Sequence, residues 1–327
     1  MAVPPPDYGG IERVVATLGG AQLRMGNEVT TFSVGTGSPE GSLAWFYPDV
    51  TGGWDWADEF IQAARALGMS GDFDVVHNHT ALGAAVMHLS RAPGITTLHN
   101  FANQSGRLDK IPRLNPDANY VAISENQRRL AGNLNILRVI HNAIPDESFA
   151  APPRLGAPGD HLLFVGRVCD NKGTHLAIDV ARRAELPLVI AGPVHETDTD
   201  YFAELVEPYV DGRNVQYVGP VAGATKAELY GRALGVVMPI GWEEPFGLVA
   251  VEAQAQGTPV LAFRRGALPE IVVPDVTGYL SDSVAEMATQ VPLLSTIDRE
   301  SCANAARSRF SPDRMALDYL DLYKTLI

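Results

Sequence analysis

Apolar and polar positions along the chain follow two alternating patterns. Short, mostly apolar runs typical of buried strands alternate with longer stretches in which apolar residues recur at helical spacing. The runs predicted to be strands are 28–34, 73–77, 95–98, 120–123, 138–140, 161–165, 188–191, 215–218, 235–238 and 258–263. The stretches predicted to be helices are 11–24, 60–67, 174–184, 201–209, 226–234 and 312–326. This alternation predicts an α/β fold in which mainly parallel sheets are covered by helices.

The alternation breaks near the middle of the chain. The segment His141-Asn142-Ala143-Ile144-Pro145 closes the first series of elements, and a stretch rich in proline and glycine follows it. With 327 residues, the chain is long enough for two domains that each bury a core. We therefore predict a first domain over residues 1–143, a linker over 144–158 and a second domain over 159–311.

Composition and charge exclude several classes of protein. Apolar residues make up 46% and charged residues 19%, which excludes a disordered segment. The net charge of −13 argues against nucleic acid as a main partner. No apolar stretch is long enough to span a bilayer, the first residues lack a signal-peptide pattern, and the first domain has only a short basic run at Arg128-Arg129. With two cysteines outside any metal-ligand pattern, we expect a cytoplasmic protein without stable membrane association.

Two glutamates flank the most informative segment of the chain. Glu244 precedes a turn at Pro245-Phe246-Gly247, and Glu252 lies in the apolar run after it, which is predicted to be helical. If the helix begins near Gly247, its first N–H groups are free, and its positive dipole end suits an anionic or hydroxyl-rich ligand. Ionised carboxylates only accept hydrogen bonds, so both could bind polyols such as a sugar and a ribose. Taken alone, two glutamates at this spacing are more often a solvated loop residue and an ordinary helix residue.

This segment resembles the E-x7-E element of the family 4 retaining glycosyltransferases, and its surroundings agree with the family pattern. Residues 253–260 are similar to the EA-x-A-x-G-x-PV continuation, and residues 266–272 to the G-G-x-x-E segment that follows. Residues 4–15 resemble the opening of a bacterial subgroup, the avilamycin-type antibiotic glycosyltransferases. The resemblance covers nearly the whole chain. It implies the GT-B fold, in which two Rossmann-like, doubly wound parallel-sheet domains face each other across a cleft and a last helix, over 312–327, returns to the first domain.

Two further segments resemble phosphate-binding motifs of the same family. Gly9 and Gly10 match its N-terminal Gly-Gly turn, where a missing Cβ lets the backbone approach a phosphate at a helix start. Gly166, Arg167 and Lys172 match the G-R-x4-K-G motif, which places two cations at the edge where open α/β sheets bind ligands. The two cations would neutralise a diphosphate leaving group. The alternative interpretations are an ordinary tight turn and a pair of surface cations.

The resemblance also implies which residues contact the donor. Glu252 would accept hydrogen bonds from the ribose, and the backbone near Val221 would meet the base. Glu244 would hold hydroxyls of the transferred sugar, and His99 matches the histidine that relatives place under that sugar. Backbone N–H groups at the helix start would assist Glu244, namely those of Phe246, Gly247 and Leu248.

Two clusters could suggest a metal ion, and we interpret neither as a metal site. His77 and His79 offer two ligands without an identifiable third, which is insufficient for zinc. Asp198-Thr199-Asp200 matches the D-x-D metal motif of the other large transferase fold, but it opens a predicted helix, where Asp and Thr are natural caps. We therefore expect no metal and no cofactor other than the co-substrate.

The start of the chain departs from the family pattern. Relatives begin with a strand directly before the Gly-Gly turn, whereas only Met1-Ala2-Val3 precedes the prolines here. We expect that strand to be very short or to lie outside the given sequence.

The residues and the resemblance together predict a retaining, metal-independent glycosyltransferase. It would move a sugar from a nucleotide-diphosphate sugar to a small-molecule or oligosaccharide acceptor. Family habit favours UDP over GDP, and the lack of a longer basic run in the first domain favours a soluble acceptor. The avilamycin-type opening indicates antibiotic or other secondary-metabolite biosynthesis. The alternatives are an envelope polysaccharide glycosyltransferase, a nucleotide-sugar epimerase of the same fold and a non-catalytic sugar-binding relative. A nicotinamide-binding protein fits poorly, because no G-x-G-x-x-G follows a first strand.

Overall fold

The chain forms two structural units. The first unit comprises residues 1–145 and 310–327, and the second comprises residues 146–309. A computed structural model describes residues 2–5, 9–49, 55–100, 115–149 and 159–327 of the chain. Most of the linker predicted over 144–158 lies outside these ranges. Every helix within them is too short or too polar to cross a bilayer.

The described part of the first unit contains two parallel sheets. The smaller one pairs β1 (Thr30–Ser33) with β2 (Ser42–Trp45). The larger sheet has four strands, which lie side by side in chain order: β3 (Val76–Asn78), β4 (Gly94–Leu98), β5 (Tyr120–Ala122) and β6 (Ile136–Val139). The helices of this unit are α1 (Gly10–Arg24), α2 (Trp56–Gly68), α3 (Ala81–Val86), α4 (Glu125–Leu130) and the last helix of the chain, α12 (Pro312–Tyr323).

The last helix is part of the first unit and packs against α1. Near its start, Arg314 donates to the carbonyl oxygens of His141 and Asn142, at 2.6 and 3.2 Å. Further along, the hydroxyl oxygen of Tyr319 lies 2.8 Å from Oγ1 of Thr97, a residue of β4. These polar groups form hydrogen bonds where the helix packs on the unit, so α12 is held by hydrogen bonds as well as by apolar packing.

Residues 2–5 form no strand. Val3 is nevertheless buried, and its carbonyl oxygen accepts the N–H of Ser38 at 3.0 Å. The segment is therefore anchored by a loop contact rather than by a ladder of sheet hydrogen bonds.

The second unit is built on a six-stranded parallel sheet. In chain order its strands are β7 (Leu162–Val165), β8 (Leu188–Ala191), β9 (Val215–Gly219), β10 (Gly235–Met238), β11 (Val260–Phe263) and β12 (Gly278–Ser281). Its helices are α5 (Thr174–Arg183), α6 (Thr199–Leu205), α7 (Gly223–Arg232), α8 (Leu248–Ala255), α9 (Leu268–Ile271), α10 (Val284–Gln290) and α11 (Arg299–Phe310). Strands β8 and β10 are buried at every residue, as expected for a parallel sheet with helices on both faces.

The strand order of this sheet reverses between β7 and β10. Across the sheet the order is β12-β11-β10-β7-β8-β9. The chain starts in the middle at β7, adds β8 and β9 on one side, and then crosses to add β10, β11 and β12 on the other. The loops that follow β7 and β10 therefore run in opposite directions from the same edge, which opens a crevice between them.

The predicted strands all overlap strands of the structure, and the differences have local causes. The short strands β2 and β12 were not predicted. Helix α2 begins at Trp56 rather than at residue 60, because Asp55 and Asp58 form a reciprocal cap at its start. Helix α6 ends at Leu205 rather than at residue 209, before Pro208, which has no N–H for a helical hydrogen bond.

Candidate functional site

Two loops line the crevice at the carboxyl edge of the six-stranded sheet. The loop after β7 carries Gly166, Arg167 and Lys172, and the loop after β10 runs through Glu244 to Gly247. Strands β7 and β10 are hydrogen-bonded neighbours. Since ligands of open α/β sheets bind where the strand order reverses, the topology places these residues at the expected binding edge.

Backbone contacts hold the two loops together. Gly173 has a φ of 72°, and a Cβ at this position would lie 2.2 Å from the carbonyl oxygen of Pro239. The N–H of Gly241 donates to the carbonyl oxygen of Asn171 at 3.1 Å. Only a residue without a side chain permits this approach, so the glycine after Lys172 brings that lysine beside the loop after β10.

Lys172 and Glu244 form an ion pair in the crevice. Nζ of Lys172 lies 2.6 Å from Oε2 of Glu244, and the two side chains are 25% and 13% exposed. The ammonium also lies over the ring of Trp242, 5.4 Å from its centroid. The lysine is therefore held in place by a carboxylate and an aromatic face, while part of its side chain stays open to an approaching anion.

The residues after β11 support the backbone of Glu244. The N–H of Ala267 donates to the carbonyl oxygen of Glu244 at 2.9 Å. Gly266 has a φ of 63°, and a Cβ there would lie 2.4 Å from the backbone nitrogen of Glu244. Its N–H donates to Oε2 of Glu243 at 3.2 Å. The segment 266–272, which resembles a family motif, thus fixes the loop that carries Glu244.

Helix α8 begins where the sequence predicted. Gly247 precedes it with a φ of 101°, and Leu248 is its first residue. Phe246 is buried and ties the preceding turn to the core. No described side chain caps this start, and its first turn holds no acidic residue, so the positive end of the helix suits an anionic or hydroxyl-rich ligand.

Glu252, on the same helix, is held by two donors that no sequence motif indicates. Nζ of Lys226 lies 2.6 Å from Oε2 of Glu252, and the hydroxyl of Tyr230 donates to the same oxygen at 2.9 Å. Both donors lie on α7, one turn apart. Burial, together with Glu252, raises the pKa of Tyr230 well above its ordinary value, so the hydroxyl keeps its proton. A lysine and a tyrosine at helical spacing are common, so the sequence held no specific signal for this contact.

Val221 lies in the short connection between β9 and α7, at the same edge of the sheet. It is half-buried and precedes the helix that carries Lys226. The contact of its backbone with a base stays a prediction.

The prediction that Asp198 caps a helix is wrong. Asp198 precedes α6, but its side chain makes no capping hydrogen bond there. Instead, its Oδ2 lies 3.4 Å from Nε of Arg167, and its side chain is only 15% exposed. Nε of Arg167 also donates to Sγ of Cys169 at 3.4 Å. The contact with Arg167 is therefore an ion pair rather than a hydrogen bond, since Oδ2 of Asp198 accepts no hydrogen bond from the described residues.

Gly9, Gly10 and His99 belong to the first unit. Gly9 immediately precedes α1 and Gly10 is its first residue. A Cβ at Gly9 would lie 2.7 Å from Oε2 of Glu12 and 2.9 Å from the ring of Pro5, so the glycine allows a close approach at this turn. His99 directly follows β4, at the carboxyl edge of its sheet. The roles that the resemblance implies for these three residues stay predictions.

His99 belongs to a group of neutral, hydrogen-bonded histidines. Its Nε2 lies 2.9 Å from Nδ1 of His79, while His77 contacts Oγ1 of Thr97 at 2.7 Å and the hydroxyl of Tyr323 at 2.6 Å. Burial lowers the pKa of His99 to about 4 and, with His99 contributing, that of His77 to about 3. Both imidazoles are therefore uncharged at neutral pH. Within the described ranges, no three His, Cys, Asp or Glu side chains are grouped so as to hold a metal ion.

An open parallel sheet with paired cations and carboxylates at its point of strand reversal is a ligand-binding site of the Rossmann type. The family model described as Glycosyl transferases group 1 matches residues 152–309, and the model described as Glycosyltransferase Family 4 matches residues 8–148. The chain is 30% identical to a D-inositol 3-phosphate glycosyltransferase of Kribbella flavida, over 75% of this chain and 70% of that protein. The chain therefore belongs to the group 1 glycosyltransferases of family 4.

Two solved structures have the same architecture. AviGT4, a glycosyltransferase involved in Avilamycin A biosynthesis, is 27% identical and superposes with a TM-score of 0.78 over 100% of this chain and 92% of its own. HepE of Anabaena, solved in complex with UDP and glucose, is 20% identical, with a TM-score of 0.75 over 97% of this chain and 96% of its own. The GT-B fold class and the glycosyltransferase activity predicted from the sequence are thus confirmed.

Proposed function

We propose that this glycosyltransferase uses a nucleotide-diphosphate sugar, retains the configuration of the transferred sugar and needs no metal ion. The main support is the Lys172–Glu244 ion pair at the carboxyl edge between β7 and β10. A cation at this point suits a diphosphate, and a carboxylate beside it suits the hydroxyls of a sugar. UDP is the proposed carrier rather than GDP, and the complex of HepE with UDP and glucose supports this choice.

Each residue of the crevice has a proposed role. Lys172 and Arg167 neutralise the diphosphate, and Glu252 accepts hydrogen bonds from the ribose. Glu244 holds hydroxyls of the transferred sugar. The further proposed contacts in the crevice are those of the sugar with the N–H groups of Phe246, Gly247 and Leu248, of the base with Val221, and of phosphate with Gly166. For the first unit, the family resemblance supports contacts of Gly9 and Gly10 with phosphate and of His99 with the transferred sugar.

The proposed reaction is a displacement on one face of the sugar. The bond between the anomeric carbon and the leaving phosphate oxygen breaks, and the acceptor hydroxyl oxygen bonds to that carbon from the same side. The leaving phosphate takes the proton of the hydroxyl, so atoms and charges balance. Catalysis is then mainly positioning and electrostatic stabilisation, in which Lys172 and Arg167 stabilise the charge that develops on the phosphate.

We propose a small soluble acceptor in antibiotic or other secondary-metabolite biosynthesis. The part of AviGT4 in Avilamycin A biosynthesis supports this class, and the Kribbella flavida relative is named for a small hydroxylated acceptor. An envelope polysaccharide acceptor and epimerase activity are the alternatives. A labelled sugar nucleotide distinguishes a transferase from an epimerase. A transferase releases free sugar slowly until its acceptor is added, whereas an epimerase interconverts the nucleotide sugars.

A thermal-shift panel of nucleoside diphosphates tests the donor class. We expect one diphosphate, UDP, to stabilise the protein by about 2.7 kcal/mol at a free concentration of 100 times Kd. Lys172→Ala and Glu252→Ala should diminish this response, and neither magnesium nor EDTA should alter it. Stabilisation by none of the diphosphates would contradict the proposed donor, and loss of the response in EDTA would contradict the metal-free mechanism.

Asp198 offers a test of how the arginine is oriented. Asp198→Asn should weaken UDP binding by about three- to tenfold, because the ion pair proposed to keep Arg167 at the crevice is lost. Isothermal titration measures the change. Asp200→Asn is the matched control, since Asp200 is exposed on the first turn of α6. The affinity of this variant for UDP should stay at the wild-type value. Equal affinities of the two variants would show that Asp198 does not orient Arg167.

A further inference from the structure

We propose that Lys226 positions Glu252 so that a single fixed carboxylate oxygen recognises a ribose hydroxyl, which makes the site select ribonucleoside over deoxyribonucleoside diphosphates. The inference rests on the proposed function, because it assumes a nucleoside diphosphate in the crevice. It adds a residue, Lys226, that neither the sequence motifs nor the proposed roles include.

The contacts of Glu252 divide its two oxygens between protein and ligand. Lys226 at 2.6 Å and the hydroxyl of Tyr230 at 2.9 Å both bind Oε2. Within the described part of the chain, Oε1 is the oxygen left for a ligand. The side chains of Lys226 and Glu252 are 27% and 19% exposed, so a ligand reaches the carboxylate without unfolding its surroundings.

Both donors are themselves held in place, which fixes the orientation of the carboxylate. Tyr230 is 1% exposed, and its backbone carbonyl oxygen accepts Oγ1–H of Thr258 at 2.6 Å. The ammonium of Lys226 lies over the Tyr230 ring, 5.9 Å from the centroid. An acceptor that cannot turn away stays unpaired when a ligand lacks the matching hydroxyl, and sites of this kind reject such ligands.

The charge of Lys226 also allows Glu252 to lie near a diphosphate. An unpaired carboxylate would repel the anion, whereas a carboxylate with its own cation does not. Lys172 cannot serve Glu252 as well, since its ammonium lies 2.6 Å from Glu244. Glu244 and Glu252 thus each have their own lysine, so the carboxylate of Glu252 is paired with a cation when a diphosphate approaches.

Isothermal titration with UDP, 2′-deoxy-UDP and 3′-deoxy-UDP tests the inference. We expect the wild-type protein to bind UDP at least about tenfold more tightly than one of the two deoxy forms. Lys226→Met keeps the aliphatic stem and removes the ammonium, so it should weaken UDP binding and reduce the preference to about twofold or less. Lys226→Arg should keep most of the preference, because a donor still reaches Oε2.

Arg232→Met is the matched control. Arg232 lies on the same helix and pairs with Glu228 at 2.5 Å, but both side chains are more than half exposed, and neither belongs to the crevice. The Arg232→Met variant should keep the wild-type affinity for UDP and the wild-type preference for UDP over the deoxy forms. Circular dichroism should show that all variants are folded. Unchanged preference in a folded Lys226→Met variant, or no preference in the wild type, overturns the inference while UDP binding itself upholds the proposed function. If the wild type binds no UDP, the proposed donor fails and the inference with it.

Discussion

Lys172→Met should lower kcat/KM for sugar release from the nucleotide sugar roughly a hundredfold to a thousandfold. This is the usual effect of removing one group that stabilises charge in the transition state. The substitution takes away the cation proposed to meet the leaving phosphate, and it also leaves Glu244, whose side chain is only 13% exposed, without its partner. Initial rates of UDP release, measured with and without a candidate acceptor, give the ratio.

Lys324→Met is the control for this result. Lys324 is exposed at the end of the last helix, outside the crevice, and its loss changes the net charge by the same amount. The control variant should keep wild-type rates. If the Lys172→Met variant is folded and loses less than about threefold in kcat/KM, Lys172 does not stabilise the leaving phosphate.

Gly266→Ala should destabilise the protein by about 3 kcal/mol and reduce transfer together with stability. A Cβ at this position would lie 2.4 Å from the nitrogen and 2.6 Å from the carbonyl oxygen of Glu244, so the loop that presents the carboxylate must shift. The positive φ of 63° adds backbone strain for any residue other than glycine. Urea unfolding measures the loss of stability, and kcat/KM measures the displacement of the loop.

Gly212→Ala separates these two effects. Gly212 has a similar φ, 73°, but among the described residues no atom lies within 4 Å of the position of a Cβ. This control should lower the free energy of unfolding by about 1 kcal/mol, because only the backbone strain is added, and it should leave kcat/KM unchanged. If both variants lost the same stability and the same activity, the close approach of Gly266 to Glu244 would have no part in positioning the carboxylate.

The parallel sheets could be predicted from the sequence because buried parallel strands are apolar at nearly every position. Strands β8 and β10 are examples, with all their residues buried. The strand β2, by contrast, is partly exposed at both faces and has the short sequence Ser42–Trp45, so its pattern does not differ from that of a loop. The order of strands across the sheet could not be predicted from apolar patterns, because it depends on which side each crossover takes.

The residues of the crevice could be predicted from the sequence only where they lie in a sequence motif that directly follows a strand. Lys172 and Glu244 each follow a strand that flanks the reversal point, so their meeting follows from the motifs once the topology is known. The contacts of Asp198 with Arg167 and of Lys226 with Glu252 join segments far apart in the sequence. No local pattern distinguishes such a pairing from a helix cap or a surface charge, so these contacts required the three-dimensional structure.

A crystal structure of the protein grown with saturating UDP shows whether the nucleotide binds in the crevice. We expect the diphosphate within hydrogen-bonding distance of Lys172 and Arg167, at the carboxyl edge between β7 and β10, and the ribose against Glu252. A nucleotide bound at any other surface, or in contact with this edge through other residues only, would refute the proposed donor site.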